Sequence, residues 1–142
     1  MNLRLALVFK VSLLIALAVG QTSCRRADDT ANMTELQRVK SGEMDVVLLS
    51  SHEALRKGKD AFTIEFRSTS GGRLINAGMV RMTANMPMPG MPMFGTIEVQ
   101  PTNVPGRYTA SSDIEMAGTW RMNIEWDGPA GRGAVSYAGT VQ

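Results

Sequence analysis

The sequence of 142 residues contains one cysteine, Cys24, and one histidine, His52. A single cysteine cannot form an intramolecular disulfide, so the stability of the folded chain must come from a hydrophobic core. A single histidine with no cysteine or second histidine nearby argues against a zinc site. We interpret His52 as a surface residue whose only metal-related role would be that of an ancillary ligand.

Basic clusters and catalytic motifs are missing as well. No run of lysine and arginine is interleaved with aromatic residues, which argues against a nucleic-acid partner. The serines lack the context of a nucleophile elbow, and residues 131–133 lack the strand-turn-helix setting of a phosphate loop. We therefore predict that the protein is not an enzyme.

Long apolar runs are absent except at the N-terminus. Arg4 and Lys10 precede a short apolar stretch over residues 11–20, the pattern of a secretory signal peptide. This stretch is too short for a transmembrane helix, which needs about 20 apolar residues. We predict an exported protein with a signal peptide over residues 1–23, and a net charge near zero once Arg4 and Lys10 are removed.

Two cleavage sites compete within this segment. Small residues at 18–20 fit cleavage before Gln21. Alternatively, Cys24 follows Ser23 and precedes a polar tract, as at the lipidation site of a bacterial lipoprotein, although such signals usually carry an aliphatic residue at the position of Gln21. We favour lipidation of Cys24, because a lone cysteine at this place has few other uses in an exported chain.

Residues 24–42 are polar and mixed in charge, and they predict a flexible tether with one weak helical turn around residues 34–39. From residue 43 onward, alternating apolar residues and turn signals predict an all-β domain over residues 43–142. The clearest alternation is that of Trp120, Met122, Ile124 and Trp126. Seven strands are expected, over residues 44–50, 61–67, 74–83, 96–99, 107–112, 119–127 and 134–141. This spacing favours an antiparallel immunoglobulin-like β-sandwich.

The densest motif is Met-Pro-Met-Pro-Gly-Met-Pro-Met over residues 86–93, here called the methionine loop. Its three prolines forbid a regular helix and remove backbone donors from any strand. An extended loop with several thioether sulfurs remains, and soft sulfur ligands favour Cu(I) and similar ions. We expect Cu(I) or Ag(I) to bind there. The candidate ligands are Met86, Met88, Met91 and Met93, with Met82 and Met116 as possible additions.

The same residues permit another interpretation. Methionine-rich surfaces suit adaptable contacts, so the methionine loop could instead be an apolar cap on the sandwich or a docking surface for another protein. If the loop binds a metal, the ring of Trp120 or Trp126 could add an aromatic face to the bound cation. The residues alone leave the metal site and the docking surface both open.

Four segments in one order carry a family resemblance. They are residues 72–80 (Gly-Arg-Leu-Ile-Asn-Ala-Gly-Met-Val), the methionine loop, residues 106–110 (Gly-Arg-Tyr-Thr-Ala) and residues 116–120 (Met-Ala-Gly-Thr-Trp). Over residues 44–141 the chain resembles the YtkA-like domain family of small exported β-sandwich modules, often lipoproteins or parts of efflux adaptors. Family members often carry a histidine close to this loop, but here Phe94 follows Met93 and no histidine is nearby, which argues against a Cu(II) site.

The resemblance implies a β-sandwich in the periplasm or cell envelope. It also suggests a role in copper or heavy-metal handling. The expected partners are an envelope metal-handling or efflux protein, together with the membrane through a lipid on Cys24.

Overall fold

A computed structural model describes residues 30–142, and this part of the chain is built from β-strands. No helix occurs within it, so it also contains no helix that is long and apolar enough to cross a membrane. The eight strands are β1 (Thr34–Ser41), β2 (Met44–Ser50), β3 (Gly58–Ser68), β4 (Met79–Met86), β5 (Met93–Pro101), β6 (Arg107–Ile114), β7 (Gly118–Gly128) and β8 (Gly131–Val141).

The strands are hydrogen-bonded in one continuous antiparallel order, β1-β2-β3-β6-β5-β4-β7-β8, which divides into two sheets that share β5. Strand β5 belongs to both sheets. Its residues 96–101 pair with β6 in the first sheet, and its residues 93–95 pair with β4 in the second. The predicted antiparallel immunoglobulin-like β-sandwich is confirmed.

The core lies between the two sheets and follows from the alternation of the strands, since successive side chains point to opposite faces. Trp120 of β7 is only 1% exposed and Ile64 of β3 is completely buried, as the alternation predicts. Phe66 joins the sheets by edge-to-face contacts with Tyr108 and Trp126, at ring-centroid distances of 5.6 and 5.4 Å. Such aromatic pairs stabilise a core beyond their buried area.

Strand β1 corrects the expected tether. Residues 34–41 were expected to be flexible with a helical turn, but they pair along the whole of β2, from Thr34 opposite Ser50 to Ser41 opposite Met44. Leu36 and Val39 pack against the core. The chain forms a strand here because the apolar strand β2 would otherwise present an unpaired edge. The folded domain therefore begins before residue 43.

The start of β4 also differs from the expected strand over residues 74–83. Leu74 makes one isolated bridge to Arg67, and the amide of Ile75 donates to the carbonyl of Phe66 at 2.8 Å. This segment thus belongs beside β3, and the chain crosses to the second sheet only afterwards. The hydroxyl of Tyr108 donates to the carbonyl of Gly78 at 2.9 Å and fixes this crossing.

A buried carboxylate lies on the outer face of the first sheet. Glu65 is completely buried, and it accepts hydrogen bonds from Nε of Arg67 and Nε of Arg107, both at 2.6 Å. Arg107 also donates to the hydroxyl of Thr30 at 3.2 Å. A buried charge needs such partners, and the group attaches the N-terminal side of the described chain to the first residue of β6.

Candidate functional site

The methionine loop is the connection of the β4–β5 hairpin. Residues 87–92 join the two strands, with a turn at Pro89 and Gly90. Gly90 has a φ of +82°, the sign required at the third position of a type II turn, and Pro89 has the φ preferred at the second position. The sequence around this turn is symmetric, so each arm of the hairpin carries two methionines separated by one proline.

The four methionines of the loop form two levels. Met86 and Met93 are directly opposite each other in the β4–β5 register, and both pack against the core while remaining partly exposed. Residues opposite each other in a sheet share one face. Met88 and Met91 flank the turn and are 40% and 74% exposed. The hairpin thus has a half-buried pair at its base and an exposed pair at its tip.

Met116 lies at the same end of the sandwich. It precedes Gly118, the first residue of β7, and the Cε methyl of Met86 lies over Gly118. The indole N–H of Trp120 donates to the carbonyl of Met116 at 3.0 Å, which fixes the backbone of this connection. The structure therefore brings Met116 to the base of the hairpin, as the expected ligand set requires.

Met82 does not join this group. It is 4% exposed and lies opposite Ile124 inside the sandwich. Strand β4 turns its even-numbered residues inward, so Met82 and Ala84 fill the core before Met86 reaches the rim. Met82 was expected only as a possible additional ligand, and in this structure core side chains enclose it, away from the exposed methionines of the loop.

The two tryptophans differ in position. Trp120 lies at the hairpin end but is buried and holds the carbonyl of Met116. Trp126 lies opposite Val80, six residues before Met86 along β4, which corresponds to about 20 Å in a strand. Trp126 is therefore too far from the methionine loop to offer its ring to a cation bound there.

His52 follows β2 in the turn before β3. Its Nε2 accepts from the guanidinium of Arg56, with 3.3 Å between the nitrogen atoms. Among residues 30–142 there is no group of three or more histidine, cysteine, aspartate and glutamate side chains that could hold a metal ion. Cys24 and the signal peptide over residues 1–23 lie outside the described residues.

The order of the four motifs and the sandwich they build both point to one family. The sequence profile of the YtkA-like family matches residues 38–125. The chain belongs to the YtkA-like family. The family match begins within β1, in agreement with a domain that includes this strand. The sequence matches none of the curated proteins with which it was compared.

Two solved structures are similar to this YtkA-like domain. One is FetP of uropathogenic Escherichia coli, as isolated after expression in the periplasm, with 12% identity and a TM-score of 0.45 over 76% of this chain and 95% of that chain. The other is a copper-bound variant of the same FetP, with 11% identity and a TM-score of 0.45 over 76% of this chain and 96% of that chain. The copper is a property of that protein.

One exposed residue of the site was not selected from the sequence. Phe94 follows Met93 in β5 and is 79% exposed, because the odd-numbered residues of β5 face inward and Phe94 faces outward. The alternation of Met93, Gly95, Ile97 and Val99 could have shown this orientation. Phe94 thus adds a large exposed apolar ring to the β4–β5 hairpin, three residues after Met91 in the chain.

Proposed function

We propose that this YtkA-like domain is a binding module that holds one Cu(I) or Ag(I) ion through the thioethers of the methionine loop. The proposal depends on one observation: Met86 and Met93 face each other at the base of the hairpin, and Met88 and Met91 flank its turn. Met116 is available at the same base. Thioether sulfur is a soft ligand that favours Cu(I) and Ag(I) over hard cations. The proposed role is binding and delivery, without catalysis.

The loop is restricted before any ligand arrives. Pro87, Pro89 and Pro92 fix three φ angles of the connection, and the packing of Met86 and Met93 fixes its base. A restricted loop loses less conformational entropy on binding. The exposed sulfurs of Met88 and Met91 leave the site open to solvent, which suits a module that accepts and releases an ion.

The proposal also includes export and a lipid on Cys24. Thr30, the first described residue, contacts Arg107 at the start of β6, whereas the methionine loop lies near the other end of that strand, where Gly95 packs close to Ile114. The described chain begins at the end of the domain opposite the hairpin, and this supports an orientation in which a lipid-anchored protein presents the methionine loop away from the membrane, toward an envelope metal-handling or efflux partner.

The second candidate function is docking onto such a partner without a metal. The exposed side chains of Met91 and Phe94 favour it, since two large apolar side chains three residues apart in the hairpin are left open to solvent. Methionine-rich surfaces adapt to partners of different shape. In this case the sulfurs matter for their shape and flexibility and not for metal coordination.

An anaerobic titration with Cu(I) against a competing chelator tests the metal site. Replacing Met88 and Met91 together by leucine keeps volume and apolarity but removes two sulfurs, so the fold should survive. We expect a loss of Cu(I) affinity of roughly tenfold or more, because two soft ligands are removed. Met79→Leu is the matched control, since Met79 is exposed on β4 at the end of the strand remote from the loop.

Three outcomes distinguish the metal site from metal-free docking. The wild-type affinity should depend little on pH near neutrality, because thioethers carry no proton there, and Mg²⁺ or Ca²⁺ should not compete. Equal Cu(I) binding by the wild type and the double leucine variant would reject the metal site. In the docking alternative, Phe94→Gln should weaken capture of the envelope partner while the double leucine variant retains it.

Mass spectrometry of the membrane fraction tests the anchor. A lipid-modified chain that begins at Cys24 is expected, and Cys24→Ser should release the protein from membranes. A soluble mature chain that begins at Gln21 would reject the anchor without affecting the metal site.

A further inference from the structure

The methionines of the described chain differ in solvent access, from exposed through half-buried to fully buried. Met88, Met91 and Met116 expose their side chains at the hairpin end, and Met79 is 68% exposed at the other end of β4. Met82, Met122 and Met44 are buried in the core. The difference matters because the oxidation of a thioether requires direct contact between its sulfur and the oxidant.

The reaction is a two-electron oxidation. Hydrogen peroxide transfers one oxygen atom to the sulfur, the O–O bond breaks, and the second oxygen leaves as water, so the thioether becomes a sulfoxide while the peroxide is reduced. The product is polar and chiral, and methionine sulfoxide reductases return it to the thioether with electrons from thiols. The sulfoxide uses a sulfur lone pair for the S–O bond and presents a hard oxygen instead of a soft sulfur.

We propose that Met88 and Met91 are sites of reversible oxidation by peroxide or another two-electron oxidant, and that this modification controls metal binding by the loop. The second part rests on the proposed function. A bound soft ion occupies the sulfur lone pair that the oxidant attacks, so the metal protects the loop and oxidation prevents metal binding. Met86 and Met93, half covered by the core, react more slowly and keep the hairpin in place.

Met79 serves as an internal control for the proposal, because it is exposed but lies outside the methionine loop. It is as accessible as the loop methionines, but it lies on the outer face of β4, seven residues before Met86. Solvent access alone therefore predicts oxidation of Met79 together with Met88 and Met91. Protection by a metal ion bound in the loop predicts slower oxidation of Met88 and Met91, and of Met116 where it is also a ligand, with an unchanged rate at Met79.

The first experiment treats the metal-free protein with hydrogen peroxide and measures the rate of sulfoxide formation at each methionine by peptide mass spectrometry. Tryptic cleavage after Arg81 places Met79 and the loop on different peptides, and fragment ions locate the added oxygen within residues 82–107. We expect Met88, Met91 and Met79 to react roughly tenfold faster than Met82 and Met122. Equal rates at Met91 and Met82 would overturn the assignment of the modification site, whether or not the loop binds a metal.

The second experiment repeats the oxidation after loading with Ag(I), which, unlike Cu(I), does not exchange an electron with peroxide. Slower oxidation of Met88 and Met91 with an unchanged rate at Met79, together with loss of Ag(I) affinity after oxidation, would support control of metal binding. An oxidised loop that retains its Ag(I) affinity would overturn that control. If unoxidised wild type fails to bind Ag(I), the proposed function and the control both fail, while the oxidation rates still decide the modification sites.

Discussion

The Cε methyl group of Met86 lies directly over Gly118, where an added Cβ atom would come within 2.8 Å of it. The base of the methionine hairpin thus depends on the absence of a side chain at the first residue of β7. Gly118 also has a φ of +140°, which L-residues with a side chain rarely adopt. This contact connects the β4–β5 hairpin to the segment that carries Met116.

Gly118→Ala should displace Met86 and strain the backbone, at a loss of about 1–3 kcal/mol in the free energy of unfolding. Urea denaturation measures this loss, and the Cu(I) titration shows whether the displaced sulfur weakens binding. Gly131→Ala is the control, because Gly131 has a φ of +88° but nothing within 4 Å of an added Cβ. Equal losses in the two variants would mean that backbone strain alone acts and that the Met86 contact is unimportant.

Pro89→Ala should weaken Cu(I) binding without unfolding the domain. Proline at the second position of the turn removes conformational freedom worth about 0.4–1 kcal/mol, so we expect an affinity loss of roughly two- to fivefold. Pro105→Ala, in the turn before β6, should leave the affinity unchanged. An unaltered affinity for the Pro89 variant would show that the loop is not restricted by this proline.

Glu65→Gln should be strongly destabilising. The substitution removes the buried carboxylate that Arg67 and Arg107 share, and removing one partner of a buried ion pair usually costs about 3–5 kcal/mol. Denaturation by urea measures the change, with the exposed Glu98→Gln as the control. A loss below about 1 kcal/mol would mean that water compensates the two guanidinium groups.

Tyr137→Phe should stabilise the domain by about 1 kcal/mol or more, because the buried hydroxyl of Tyr137 has no hydrogen-bond partner among the described residues. Burial also raises the pKa of Tyr137 above its ordinary value of 10.0. Above that pH the unfolded chain releases a proton that the native chain retains, so wild-type stability falls. Unfolding free energies at pH 7 and pH 11 should show a smaller decrease for the phenylalanine variant, and an identical decrease would contradict the burial of this hydroxyl.

The contribution of Glu35 to the free energy of unfolding should disappear in acid. Hydrogen bonds from Arg38 hold the pKa of Glu35 below its ordinary value of 4.5. A lowered folded-state pKa means that stabilisation is complete above the unfolded pKa and is lost as the pH falls through the folded one. Because both side chains are 40% exposed, the difference between wild type and Glu35→Gln should stay below about 1 kcal/mol at neutral pH. A difference that persists at pH 2 would contradict an ionic origin.

Much of the fold could be predicted from local pattern. The alternation of Trp120, Met122, Ile124 and Trp126 is a property of the strand itself and gave the correct buried face. Strand β1 could not be predicted in this way, because residues 34–41 are mostly polar and form a strand only where β2 offers its edge. Strand β1 depends on its pairing with β2, which follows directly after the turn at Gly42, and the alternation within residues 34–41 does not encode that pairing.

The sequence by itself determined the chemistry and the local shape of the candidate site: four thioethers, three prolines that exclude a helix, and a Pro89-Gly90 turn. Only the tertiary structure decided which other side chains join them. The sequence offered both Met82 and Met116 as possible additional ligands, but the inward face of β4 encloses Met82, whereas the β6–β7 connection carries Met116 close to Gly118 at the hairpin base. The physical reason is that residue type and periodicity fix the chemistry of a segment's side chains and the face on which they lie. Burial and proximity instead depend on strand pairing between segments far apart in the chain.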